Sequence, residues 1–312
     1  MRKRAELAFQ TRPTQLARAM AYTLRALSTP EEMAWIEALQ AEIWPGSALD
    51  VVPRHVLLIQ AAYGGLVAAA FVPERQEPIG FVYGFPGLEP KPEGGWRLKH
   101  CSHMLGVLPA YRDGHVGLAL KRFQRDFVRA QGIELITWTF DPLESRNAYL
   151  NLRRLGGIVR RYRRNLYGPL RDALNYDLPT DRLEVEWWIT QPRVQARLSG
   201  LDPPPKLPPP INQIDAQHPV PHPVAWRWPE RAERISVCLP ARMRDFRGQD
   251  PGRDRAWRMH LRAVFEEVLA RGWAITDYVL SPDRTLGYYI LEPEDRLDVP
   301  RRHYALSHPD AP

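Results

Sequence analysis

The sequence predicts an α+β fold. Over residues 21–190, alternating apolar runs and helical apolar stripes interleave in the order β-α-α-β-β-β-α-β-α-β-β. After a proline-rich break at 191–230, a shorter β-α-β-β pattern fills 231–312. The composition supports a packed interior for both parts: the 312 residues are 44% hydrophobic and 25% charged, with 10 Trp and 12 Tyr. The expected organisation is a basic N-terminal extension (1–20), a first domain (21–190), a Pro-rich linker or strap (191–230) and a small α+β C-terminal domain (231–312).

The first domain opens with a strand at 22–27. Ser28-Thr29-Pro30-Glu31-Glu32 then reads as a helix start, with a hydroxyl cap, a proline in the first turn and acids that suit the dipole. This helix places Met33, Ile36, Leu39 and Ile43 on one stripe and stops at Pro45-Gly46. A second helix follows Pro53, carries Val56, Leu57, Ile59 and Gln60, and ends at Gly64-Gly65. Strands at 66–72 and 78–85 flank a polar turn, and a third runs from Trp96 to about Leu108. A short turn at 111–117 leads into a helix at 117–130 with Leu118, Leu120, Phe123 and Phe127 on its buried stripe. A β-rich run at 133–140, a helix at 144–155 and strands at 159–167 and 183–189 complete the domain.

The strap contains Pro203-Pro204-Pro205 and Pro208-Pro209-Pro210, then Pro219, Pro221, Pro223 and Pro229, which favours extended polyproline geometry over helix or central strand. Beyond it, Ile235, Val237 and Leu239 alternate as a strand. Trp257, Leu261, Val264, Phe265, Val268 and Leu269 form a helical stripe ended by Gly272. Strands at 273–280 and 285–291 flank a turn at Ser281-Pro282-Asp283-Arg284. One helix and three strands make a thin core, so this unit is expected to pack on the first domain or across a homodimer.

Composition narrows the function classes. The two cysteines, Cys101 and Cys238, have no paired spacing, so neither a disulfide framework nor a metal site is expected, and a reducing compartment is. No apolar run reaches membrane-spanning length, and the basic start lacks a signal-peptide core; Met20 is a second candidate start. A cytoplasmic location is expected. The net charge of +7 is compatible with an anionic ligand. Arg153, Arg154, Arg160, Arg161, Arg163 and Arg164 gather around Tyr162, as a solvated face or as partners for a phosphate or carboxylate. Nucleic-acid binding ranks third, because no recognised nucleic-acid motif accompanies them.

The most informative stretch is 96–157. A strand feeding a glycine-containing turn that opens a helix is an anion-binding geometry, because the first N–H groups of the helix lack partners and the dipole adds positive potential. The candidate donors are the amides of Asp113, Gly114, His115, Val116, Gly117 and Leu118, with Arg112 and Lys121 adding charge. A plain strand–helix turn is the alternative.

Within this stretch, LGVLPAYRDGHVGLALK resembles the acyl-CoA loop of the GNAT superfamily of N-acyltransferases, with Val107, Pro109, Tyr111, Arg112 and Gly117 in register. His115 stands where that loop has its first glycine, and Gly114 lies one place earlier. FDPLESRNAYLNLRRLGG is similar to the superfamily's next helix, with Asn147, Ala148 and Leu155-Gly156 matched and Leu152 in place of the usual tyrosine. The resemblance covers roughly 23–189. It implies a mixed, mostly antiparallel central sheet flanked by helices, and an acyl-CoA-binding domain at 21–190. Acetyl-CoA or another acyl-CoA would be the co-substrate and a small amine, such as an amino acid, the acceptor. The reaction would be transfer of an acetyl or succinyl group by direct attack on the thioester. A degenerate, non-catalytic ligand- or partner-binding member of the same fold is the alternative.

The resemblance also assigns roles. Backbone near Leu105 and Val107 would polarise the carbonyl, and Asn147 would contact the coenzyme. His103, at the offset where members acylating arylalkylamines carry a histidine, would take the amine's proton. Leu152 occupies the position of the family's tyrosine, so the acid is not carried over; Tyr149, Asn151 and Tyr162 are nearby alternatives, each with plain packing as the competing reading, and Tyr149 is the candidate taken. Regular alternation puts Cys101, His103, Leu105 and Val107 on one strand face and His100 on the other. Asp141 is read as the start of an Asx-Pro turn in preference to a contact for the substrate amine.

Overall fold

The structure, a computed structural model, describes residues 21–46, 50–112, 114–168, 178–215, 217–218 and 220–302. The N-terminal extension, Asp113 and the tail past 302 lie outside the described residues. The elements are β1 (Thr23–Ala26), α1 (Pro30–Ile43), α2 (Arg54–Ala62), β2 (Leu66–Phe71), β3 (Gly80–Pro90), β4 (Trp96–Val107), α3 (Val116–Ala130) and β5 (Leu135–Phe140). They continue with α4 (Ser145–Ala148), which passes into a π-helical turn (Tyr149–Arg154), then β6 (Ile158–Arg163), β7 (Arg182–Trp188) and α5 (Pro192–Leu198). The remainder comprises β8 (Asn212–Asp215), β9 (His222–Trp226), β10 (Ile235–Pro240), α6 (Met243–Phe246), α7 (Pro251–Ala270), β11 (Trp273–Leu280) and β12 (Leu286–Pro293).

Ten strands form one mixed sheet in the order β1-β2-β3-β4-β5-β7-β6-β11-β12-β10. Every pairing in it is antiparallel except β4 with β5. The C-terminal strands thus extend the first sheet, joined where Ile275 of β11 meets Val159 of β6. Their core is continuous with it as well: Phe140, Leu152, Val159 and Leu183 share one apolar cluster with Val237, Trp257, Phe265, Tyr278 and Tyr289. A second cluster fills the other end of the sheet, where Met33, Ile36, Leu39 and Ile43 of α1 and Leu57 of α2 pack with Val67, Phe81 and Val107. No helix among the described residues is long and apolar enough to cross a membrane.

Two local readings change. The strap holds a helix and a hairpin: α5 starts at Pro192, and β8 pairs with β9 in a separate two-stranded ribbon. Proline excludes a helix interior but suits the first turn, where its missing N–H bonds to nothing. Pro223 is accommodated in β9 because a two-stranded ribbon consists only of edges. The predicted helix at 144–155 is α-helical for one turn only. Beyond Ala148 its hydrogen bonds lengthen, with Leu155 N–H donating to Leu150 O and Gly157 N–H to Asn151 O. Such one-turn π segments accommodate an extra residue within a helix.

Candidate active site

The parallel pair β4–β5 touches at only two positions, His100 with Ile136 and Cys101 with Thr137. Beyond these, β4 stays paired with β3 as far as Val107, and β5 stays paired with β7 as far as Phe140. The two strands therefore diverge, and from Ser102 onward the β4 edge facing β5 carries backbone groups without a strand partner among the described residues. Polar backbone left this way needs another partner. One is visible: Arg112 Nε donates to Val107 O at 3.1 Å.

The expected strand alternation is interrupted at this fork. Tyr83 pairs with Met104 and Gly84 with Ser102, so His103 is an extra residue in β4. Such a bulge re-aims the side chains beyond it. His100 and Ser102 face α3: Gln124 Nε2 shares a hydrogen bond with His100 Nε2 at 3.1 Å, and Lys121 Nζ donates to Ser102 Oγ at 2.7 Å. Past the bulge, Leu105 is on the α3 side, where a Cβ at Gly117 would lie 3.6 Å from its Cδ2. Gly106 points the other way, toward Ile43 and Trp44, and Val107 alternates back to the side of Leu105. His103 does not share a face with Leu105 and Val107, contrary to regular alternation. Its ring packs against Tyr83 (5.7 Å between centroids) and Phe85 (6.0 Å), and it remains exposed at the surface. Partial burial pushes its pKa below the usual histidine value, so the imidazole is neutral near pH 7.

At the start of α3, His115 is the N-cap residue and adopts a left-handed conformation, φ 59° and ψ 12°. It makes the backbone turn a glycine would make there, and histidine is among the residues enriched in that region. No side chain caps the helix start at His115, which leaves the first-turn amides of Val116, Gly117 and Leu118 without intrahelical acceptors. The Gly114 amide is already used, donating to Tyr111 O at 3.3 Å. Arg112 lies within electrostatic reach of Arg146 and Arg244. Burial first, and then these two like charges, hold its pKa below the usual guanidinium value. The C-terminal unit thus delivers Arg244, from α6, to the turn. Replacing His115 with glycine removes the left-handed penalty and should raise stability by about 1 kcal/mol, read as a higher midpoint in a thermal melt.

Lys121 does not reach this turn. Its Nζ is buried behind β4, bonded to Ser102 Oγ and to Gln124 Oε1 (3.2 Å) and 3.6 Å from the centroid of the Trp138 ring on β5. It stands where the two strands part. Gly84 is required beside it, because a Cβ there would come within 2.3 Å of His100 Nε2 and 2.7 Å of Cys101 O.

Asn147 and Tyr149 are exposed at the start of the α4–π segment, whereas Leu152 is fully buried in the apolar core. Asn151 and Tyr162 are buried, and Tyr162 donates to Asp181 Oδ2 at 2.7 Å. Asp141 forms the Asx turn, with Oδ1 accepting from Leu143 N–H at 2.8 Å, while Oδ2 meets Arg258 at 2.7 Å and Arg247 at 3.3 Å.

Four of the six arginines of this segment are held by carboxylates of the fold. Arg153 pairs with Asp277, Arg160 with Glu186 and Glu294, Arg163 with Glu184 and Arg164 with Glu266. Sequence reading passes over the carboxylates on the His103 side of the sheet, Glu89 on β3 and Glu184 and Glu186 on β7. The Glu-x-Glu alternation in β7 is the one signal of them in the sequence.

A scan against protein-family models found no match, and neither did a search of curated proteins. Among solved structures, the chain is similar to the NatC complex bound to Gag peptide and CoA, at 18% identity over 55% of this chain and 100% of that chain, with a TM-score of 0.43. It is similar to Arabidopsis thaliana NAA60 in complex with acetyl-CoA, at 16% identity over 54% of this chain and 100% of that chain, TM-score 0.44. A further likeness is to the ribosomal-protein-S18-alanine N-acetyltransferase from Escherichia coli, at 15% identity over 55% of this chain and 96% of that chain, TM-score 0.43.

Proposed function

We propose that the chain is an acyl-CoA-dependent N-acyltransferase that transfers an acetyl or succinyl group to an amine. The observation that carries this reading is the divergence of β4 from β5 with the open α3 N-terminus alongside it. The motif resemblance at 105–121 adds the chemical class. The amides of Val116, Gly117 and Leu118 would hold the coenzyme's pyrophosphate, with Arg112 and Arg244 adding positive charge. Leu105 and Val107 would line the opening with apolar side chains, and Asn147 would contact the coenzyme from α4. Backbone N–H groups on the open β4 edge would polarise the thioester carbonyl.

His103 would accept a proton from the acceptor ammonium, freeing the nitrogen lone pair. That nitrogen forms the new N–C bond as the C–S bond breaks; Tyr149 would protonate the leaving thiolate, and the resulting tyrosinate would take the second proton from the nitrogen, leaving a neutral amide and restoring the phenol. The neutral imidazole described above suits this role. A second reading, a ligand-binding member without catalysis, is favoured by Leu152, whose side chain is sealed in the core where the related motif has a tyrosine.

Calorimetry with acetyl-CoA and succinyl-CoA tests the proposal. Binding is expected, and binding of neither would overturn it. Thiol release across an amine panel then separates the two readings, since binding without turnover would support the second. His103→Ala should lower kcat/KM by about 10²-fold. It should also abolish the acidic limb of the pH–rate profile. That limb lies below pH 6.5, because the base works only when deprotonated and its pKa is lowered. An unchanged profile would remove His103 from the mechanism.

A further inference from the structure

On the His103 side of the sheet, three carboxylates from two strands converge on one guanidinium supplied by the end of the same chain. Arg302 Nε donates to Glu89 Oε1 at 2.8 Å, and its Nη2 donates to Glu184 Oε1 at 2.9 Å. Its Nη1 lies 3.3 Å from Glu186 Oε1, and its side chain is 4% exposed. Two arginines of the sheet hold the segment leading to it by its backbone. Arg160 Nη2 donates to Pro300 O at 2.8 Å, and Arg97 Nη2 donates to Arg301 O at 3.0 Å. Arg160 also meets Glu294 at 2.7 Å. Residues 294–302 thus form a strap over this face, with Arg302 as its plug.

The position of the plug relates it to the reaction centre. Glu186 pairs across the sheet with Thr137 and Glu184 with Thr139, and Thr137 is the last β5 residue joined to β4 before the strands part. Its partner Cys101 lies within electrostatic reach of both Glu184 and Arg302. His103 is two residues further along β4, at the bulge.

The recess can also lose its plug without stranding a buried charge. Glu89 keeps Arg97 (3.2 Å) and Lys99 (3.6 Å), Glu184 keeps Arg163 (3.6 Å), and Glu186 keeps Arg160 (2.5 Å) and the Trp188 indole N–H (3.1 Å). A guanidinium placed only for stability would leave an unpaired buried carboxylate on withdrawal, at high cost. Glu89 Oε2, also buried, lies 2.6 Å from Arg302 and 3.6 Å from Lys99.

We propose that this recess is the cation-recognising part of the acceptor subsite and that Arg302 occupies it as a built-in competitor, so that an acceptor bearing a guanidinium must displace the 294–302 strap. The proposal rests on the acyl-transfer reading for the word acceptor, and its test does not require turnover. Agmatine, which carries a primary amine and a guanidinium, is the probe. Calorimetry with the full chain should show agmatine binding at least tenfold tighter to Arg302→Ala than to the unaltered protein, with the gain lost on adding Glu89→Gln. In the unaltered protein, saturating agmatine should speed amide hydrogen exchange across 297–302. This second measurement decides the matter alone if Arg302→Ala loses its cooperative melt. Equal affinities in a folded variant, or exchange across 297–302 that agmatine leaves unchanged, would overturn the proposal. Acetyl-CoA calorimetry and thiol release run in parallel distinguish the two readings. Displacement of the strap with no acyl-CoA binding would overturn acyl transfer and leave a cation site. Turnover of agmatine with an undisturbed strap would overturn the cation site and leave acyl transfer.

Discussion

Asp141→Asn is expected to cost about 3–5 kcal/mol of stability at neutral pH. The substitution keeps the side-chain oxygen that accepts from Leu143 N–H, so the turn after β5 survives and the loss isolates the charge. That charge faces Arg258 and Arg247, both nearly sealed from solvent, with Arg182 at 4.0 Å. Arg247 retains Glu144 at 3.4 Å, but Arg258, fully buried within α7, retains a 3.5 Å hydrogen bond to Asp181 O and the more distant charge of the Asp181 carboxylate. An uncompensated guanidinium inside the shared core is the expensive outcome. Burial alone would raise the Asp141 pKa, and the charges of Arg258 and Arg247 more than reverse this and hold it far below the usual carboxylate range. Because the folded-state value is depressed, its contribution to stability is fully present above the unfolded pKa of about 3.9. It is lost as pH falls below that. Urea denaturation should therefore separate the two proteins at pH 7, and the gap should close progressively below about pH 4. A constant gap would place the effect in packing instead.

Asp141 also shows where sequence reading stops. Its Asx turn is local and legible from Asp-Pro. Its hydrogen-bonded ion partners, Arg247 just past α6 and Arg258 on α7, lie more than a hundred residues away, and no local pattern carries that pairing. The element order is legible for the same reason the turn is: stripes such as Met33, Ile36, Leu39 and Ile43 record a buried helix face in their spacing. The bulge at His103 adds one residue to β4 without any composition mark, so alternation places Leu105 and Val107 on the wrong side of His103. His115 is visible as a departure from glycine, but its left-handed backbone is not, since a side chain's identity does not state its φ. The continuation of the sheet through Val159 and Ile275 escapes notice because strand pairing between distant segments leaves no spacing in either. Arg302 is hidden in a similar way: one arginine in a tail becomes informative only once three glutamates meet around it.

Lys121→Met is expected to have the opposite sign, raising stability at pH 7 by about 1–4 kcal/mol. Both substitutions remove a buried charge-bearing group, and the difference lies in the surroundings. Among the described residues no carboxylate pairs with Lys121, whose neighbours are the Ser102 hydroxyl, the Gln124 amide, the Trp138 ring and His100. Burial drives the Lys121 pKa well below its usual value. Burial and then the Lys121 charge push His100 down to about 3, so the site holds two bases and no acid. A protonated amine there gains about 2 kcal/mol at most from the aromatic face. This does not match the several kcal/mol needed to desolvate an ammonium. Methionine has a similar length, fills the gap over Trp138 and requires no desolvation. The linkage provides the check. A base whose folded pKa is depressed takes up protons preferentially in the unfolded state, so the unaltered protein gains stability as pH rises toward the unfolded value of about 10.4. The advantage of Lys121→Met should thus be largest at neutral pH and shrink toward pH 10.5 in paired denaturation curves. An advantage independent of pH would mean that the lysine's stem, not its amine, carries the cost. If methionine proved less stable at pH 7, the hydrogen bonds to Ser102 and Gln124 would outweigh desolvation at the point where β4 and β5 part.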